Sequence, residues 1–168
     1  MQQGSIVRVR SDKDTDFTGA IAQNAQESEN LVPPAALGAG GPCRSRLHSI
    51  SIISKENLDW ELWFFSTDDF ATNNAADIDQ VGFLGKWAFI AADATRIAAT
   101  GAYFYYIDGL DIAYHCTDFD EHATLVAGAK RPQGQVHVML INRSAAGKSA
   151  GANGELVIQL GFEPTEGR

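Results

Sequence analysis

Histidines, cysteines and carboxylates are the side chains in this sequence that could carry chemistry. The most suggestive grouping is His115-Cys116, with His122 following and His137 further on. Zinc takes imidazole and thiolate ligands in a tetrahedral array. Here the spacing matches no paired-ligand motif. Neighbouring residues on a strand point to opposite faces, so His115 and Cys116 would not share one ion. A nucleophilic Cys116 would need a base within hydrogen-bond reach and a lowered pKa. His122 could supply the base by a loop reversal, but nothing marks an oxyanion hole. Carboxylates are plentiful: Asp59, Glu61, Asp68, Asp69, Asp77, Asp79, Asp118, Asp120 and Glu121. Glycoside hydrolysis requires two of them across a groove with an aromatic platform, and Trp60 falls on an expected core stripe instead. Asp77-Ile78-Asp79 and Asp118-Phe119-Asp120-Glu121 lack the Gly-bearing loop pattern of a calcium site and read as solvated loops. The Gly-rich stretches 38–41 and 150–154 have no following helix or Lys-Ser/Thr pair and read as turns rather than phosphate cradles. The sequence therefore predicts a chain that is not an enzyme and holds no metal or cofactor.

The elements around these residues are short and extended. Ser5 to Arg10 alternates apolar and polar residues as a half-buried strand does. A polar turn, 11–16, and a short apolar piece, Phe17 to Ala22, follow. Pro33-Pro34 then opens a Pro/Gly-rich stretch to residue 42 that favours neither helix nor central strand. Residues 1–45 are thus expected to form an extended arm with one or two strands, loosely attached to a sandwich over 46–168, the whole being one compact domain. Ile50 and Ile52 share a strand face opposite Ser49 and Ser51. Leu58, Trp60, Leu62 and Phe64 form a core stripe, while Trp63 and Phe65 point the other way. Residues 68–85 suggest a loop with one short helix, whose spacing includes Ile78, Val81 and Phe83-Leu84, followed by a short strand from Trp87 to Ile90. Asp108-Gly109 between two apolar runs, Ala102–Ile107 and Leu110–Cys116, predicts a type I′ hairpin. Val136, Val138 and Leu140 face inward, with His137, Met139 and Ile141 opposite. Leu156, Ile158, Leu160 and Phe162 alternate in a last strand. Eight or nine short strands with almost no helix predict an all-β fold, a β-sandwich or jelly roll.

Composition bounds the partners. Across 168 residues, 13 basic side chains against 21 acidic ones give a net charge of −8. Phosphate backbones are bound through Lys and Arg, and Arg44-Ser45-Arg46 is the nearest thing to a basic patch, so no nucleic-acid partner is expected. No apolar run reaches the length of about eighteen residues that crosses a membrane. Met1 to Ser5 lacks a basic region leading into an apolar stretch, so a secretory leader is expected to be either absent or already removed. Cys43 and Cys116 are too few for a disulfide framework and are read as free thiols.

Strands apolar on both faces call for cover. Trp63 and Phe65, Met139 and Ile141, with Leu31, Pro33 and Pro34 of the arm, are the expected subunit or capsid contacts. The string Leu47-His48-Ser49-Ile50-Ser51-Ile52-Ile53-Ser54-Lys55, running into Leu62-Trp63-Phe64-Phe65-Ser66-Thr67-Asp68, resembles the centre of a family of tailed-bacteriophage virion proteins. The loop Asn73-Asn74-Ala75-Ala76-Asp77-Ile78-Asp79-Gln80-Val81 and the ending Val136–Ser144 with Gly154–Glu163 are similar to that family too. The likeness spans residues 5 to 164 in pieces and departs from the pattern over 86–130. It implies a capsid decoration (cement) protein with a jelly-roll-like fold, made in the host cytoplasm and placed on the virion surface. Such a protein would bind the major capsid protein and itself, as a homotrimer. A tail or head-fibre component binding a host glycan is the alternative; it would present an exposed aromatic platform in a concave groove.

Overall fold

The structure is a computed structural model, and it describes residues 6–12, 16–17, 21–31, 45–65, 83–114, 136–144 and 155–164. Ten strands are present: β1 (Val7–Arg10), β2 (Gln26–Leu31), β3 (Ser45–Ser54), β4 (Trp60–Phe65), β5 (Phe83–Phe89), β6 (Thr95–Arg96), β7 (Tyr103–Ile107), β8 (Ile112–Tyr114), β9 (Val136–Asn142) and β10 (Leu156–Pro164). They form two antiparallel sheets. The first runs β1-β10-β3-β7-β6, with β8 also on β3; the second runs β2-β9-β4-β5. The order follows from one pairing rule. β1 pairs with β10, β2 with β9, β3 with β7 and β4 with β5, so the first half of the chain is zipped against the second half in reverse. Successive rungs of that ribbon alternate between sheets, which is the jelly-roll wrapping of an all-β sandwich.

The core lies between the sheets and is built from the expected alternations. Leu58, Trp60, Leu62 and Phe64 face Ile50 and Ile52, with Val136, Val138 and Leu140 from β9 and Leu156, Ile158, Leu160 and Phe162 from β10. Tyr105 straps the sheets together. Its hydroxyl, on β7, accepts a hydrogen bond from the Leu58 main-chain N–H at 3.0 Å and lies 2.8 Å from the Leu58 carbonyl oxygen. Burial, chiefly, pushes the Tyr105 hydroxyl pKa up.

Three expectations are corrected. The described part of residues 1–45 is not loosely attached: it supplies the strands expected there, β1 and β2, as the outer strands of the two sheets, and Val9, Phe17, Ile21 and Leu31 are each at most 3% exposed in the common core. β2 is polar except at Leu31, so main-chain pairing with β9 makes it a strand rather than its own side-chain pattern. The segment also ties into the end of β9. Buried Asn142 donates from Nδ2 to the Ile21 carbonyl at 2.9 Å, while its own carbonyl accepts from Asn24 N–H at 2.7 Å.

The second correction concerns Asp108-Gly109. β7 and β8 do not pair with each other; both run antiparallel to β3, at Ile50–Ser54 and at Ser45–Leu47. Between Ile50↔Ile107 and Leu47↔Ile112, His48 and Ser49 face the four residues 108–111, so the Asp-Gly is a bulge in one long strand. Only Gly109 adopts a positive φ there, whereas a type I′ turn needs two. Third, Phe83 and Leu84 belong to β5, not to a helix, and the one helical turn described is a short 3-10 turn at Ala91–Asp93. Residues 68–82 of the 68–85 loop expected to carry a short helix, like Pro33 and Pro34, lie outside the described residues.

Two outcomes follow from these contacts. Deleting residues 1–31 removes four buried apolar side chains worth about 1.5–3 kcal/mol each, comparable to a domain's entire net stability of roughly 5–15 kcal/mol. The truncated chain will show no cooperative melt by circular dichroism; a sigmoidal melt near that of the parent would restore the arm. Tyr105→Phe leaves the Leu58 N–H without its partner and will lower the unfolding free energy by about 1–3 kcal/mol in a urea titration.

Candidate functional site

The outer face of the β2-β9-β4-β5 sheet is where sequence reasoning placed the contacts. Register brings Trp63 opposite Met139 and Lys86, Glu61 opposite Ile141 and Ala88, and Phe65 opposite His137 and Phe83. Phe65, Met139 and Ile141 form a second apolar cluster against which Trp63 packs. All three are at most 1% exposed in the single chain. The expectation that a partner must cover these side chains is therefore corrected: the chain covers them itself. Leu31 likewise faces the main core, opposite Val136, and is no surface residue. Of the seven expected contact residues, Trp63 alone is described as only half-buried.

A charged cluster holds Trp63 in place. The Trp63 indole N–H donates to Glu61 Oε1, which also receives Arg143 Nη2 at 3.2 Å and has Lys86 Nζ at 3.8 Å. Lys86 sits over the Trp63 ring, 5.5 Å from its centroid. Burial raises the Glu61 pKa, but the indole N–H and the two cations together outweigh it and hold the carboxyl below its usual value. The ring continues outward into Phe83, edge-on to Trp63 at 5.4 Å and to Phe65 at 5.8 Å. A charge-compensated carboxylate clamping an indole is a structural device, and among the described residues no second acid stands opposite it for general acid–base work.

Chemistry elsewhere is sparse. Asp59 is used as a cap, its Oδ1 accepting the Ala91 N–H at 2.6 Å. Among the described residues no group of three or more His, Cys, Asp or Glu could hold a metal ion. Among them, too, no helix is long and apolar enough to cross a membrane. Cys43, His115, Cys116, His122 and the acidic loops at 68–79 and 118–121 lie outside the described residues. What sequence reasoning missed is a hollow of about 160 Å³ between β5 and β7, lined in part by Phe89, Ile90, Asp93, Tyr105 and Tyr106. Ile90 and Tyr106 are 50% and 55% exposed. These residues come from separated stretches that only the fold brings together; the aromatic run 103–106 was the one available signal.

No protein-family model and no curated protein matches this chain.

The Glu61 cluster carries a pH signature. Because its folded pKa is depressed, its stabilisation is fully present above the usual value of 4.5 and is lost as the pH falls through the lower folded value. Glu61→Gln will destabilise the chain by roughly 1–2 kcal/mol at neutral pH. Urea titrations across pH will show the gap to the parent closing in acid; a gap independent of pH would remove the charge from the explanation.

Proposed function

We propose that this chain is a structural protein of a tailed-bacteriophage virion: a capsid decoration (cement) protein that binds the major capsid protein on the assembled head and works as a homotrimer. The observation that carries the reading is the strand order, in which β1 to β4 pair in turn with the later strands to give a jelly roll. Jelly rolls recur in viral capsid domains, although a fold alone does not assign a function. The sequence resemblance to phage virion proteins adds the specific role, and the described residues offer no convergent acid–base pair to compete with it.

The contact surface proposed here is shifted from the one the sequence suggested. With Phe65, Met139 and Ile141 covered by the chain, contacts would be drawn from side chains still open to solvent. Phe83, at the start of β5 and touching the Trp63 and Phe65 rings, is the leading anchor; Lys86 and the half-buried Trp63 lie beside it. An aromatic ring backed by a rigid apolar cluster is the type of residue that dominates interface energetics. The role needs no catalysis. A subunit that binds the assembled shell and not its separated parts stabilises the shell by mass action.

Sedimentation with phage heads tests this directly. The chain will pellet with heads in many copies per particle, and Phe83→Ala will lower its affinity about tenfold or more while leaving its melting curve near that of the parent. A chain that stays in the supernatant at all concentrations would end the reading.

A further inference from the structure

We propose that the outer face of the β1-β10-β3-β7 sheet binds a carboxylated sugar within an oligosaccharide. Strand alternation places the side chains. Val9, Leu160, Ile52 and Tyr105 face the core, so their neighbours Arg8, Arg10, Gln159, Ser51 and Tyr106 face out. Register sets four of them in one rung, Arg10–Gln159–Ser51–Tyr106. Three strand spacings of about 4.8 Å put its ends roughly 14 Å apart. The next rung, Arg8–Gly161–Ser49, adds a second cation beside two small residues. Between the ends the face is low. Ser51 is 6% exposed, and the Ser49 hydroxyl leans over Gly161, where a Cβ would collide with it. The result is a shallow trough floored by small residues, with Arg8 and Arg10 along one side and Tyr106 on the other.

Charge and ring geometry select the occupant. Among the described residues Arg8 and Arg10 form no ion pair, and their register partners, Gly161 and Gln159, carry no charge. Two uncompensated guanidiniums on one face of a chain of net charge −8 are matched by a ligand carboxylate. Tyr106 is 55% exposed yet braced, since its ring lies 5.9 Å from that of Phe104 with the planes only 15° apart. One ring face is thus covered and the other is left for a ligand. A recognition ring held in place beforehand loses little freedom on binding. A pyranose lays its C–H face there, and its hydroxyls meet Gln159, Ser49 and Ser51. An apolar partner would bury those polar groups and both cations without hydrogen bonds, which is unfavourable. Single-stranded nucleic acid brings a phosphate with every base, and two arginines do not offset that in so acidic a chain. An acidic peptide would meet the arginines but has no sugar face for Tyr106. This inference does not rest on the capsid reading: a chain that ignores phage heads can still bind an acidic glycan.

The test is a nuclear magnetic resonance titration of the full chain with sialyllactose and digalacturonic acid. Lactose, a glutamate-rich peptide and a short oligothymidylate serve as contrasting probes. At least one acidic sugar will shift the amides of Arg10, Gln159, Ser51 and Tyr106 saturably, and more tightly than lactose does. Which of the two binds assigns the carboxylate to a sialic or a hexuronic acid. Tyr106→Ala will abolish saturation. The double variant Arg8→Gln/Arg10→Gln will weaken acidic-sugar binding about tenfold and remove the preference over lactose. All three side chains are exposed, so the rest of the amide spectrum will be unchanged. The proposal is overturned if neither acidic sugar saturates, if lactose binds as well, or if the shifts survive either variant. Tighter binding of the peptide or the oligothymidylate than of both acidic sugars would overturn it equally.

Discussion

The structure depends on the ends of the chain meeting: β1 must find β10 and β2 must find β9 before either sheet is complete. These pairings join residues more than one hundred positions apart, so their loop-closure entropy is met before the contacts reward it. The reward is concentrated in β9 and β10. β9 is buried along all seven residues, lying between β2 and β4 with apolar layers on both faces. Asn142 closes that strand, spending its side chain on the Ile21 carbonyl and on the Ser144 N–H at 2.9 Å. A buried amide satisfied on both its donor and acceptor sides fixes one register where apolar packing alone would tolerate a slip.

Coverage of both faces of the second sheet changes what the molecule needs from partners. Phe65, Met139 and Ile141 would demand an interface if they were wet, but they are not. These three side chains therefore make no demand for a partner, and any contact surface must be drawn from side chains still open to solvent. Glu61 belongs to the same economy. By drawing together the Trp63 indole, Arg143 and Lys86, it lets a large aromatic end at the surface with its polar edge satisfied. Phe83 then extends that aromatic cluster into solvent, and the hollow between β5 and β7 opens near the other end of β5.

Much of the core was readable from alternation alone, because Leu58 to Phe64 and Leu156 to Phe162 each place every second residue against the opposite sheet. Where the reading failed, the deciding contact was non-local. Asp108-Gly109 carries hairpin chemistry, but β3 is ten residues long and offers an edge to both flanking runs, so tertiary pairing overrode the local turn. β2 has a single large apolar side chain and no pattern to announce it. Trp63, Phe65, Met139 and Ile141 were correctly seen as a second apolar face. Sequence reports that such a face is covered, however, and not by which part of which chain. The hollow between β5 and β7 was invisible for a related reason, since its walls come from two strands in different sheets.

Native-state hydrogen exchange tests the central claim, that the amino-terminal strands are part of the sandwich. The account predicts that the β1 amides bonded to β10 and the β2 amides bonded to β9 exchange with the same free energy of opening as the β3 and β4 amides, as one cooperative unit. Fast exchange confined to β1 and β2, with β3, β4 and β9 still fully protected, would contradict it.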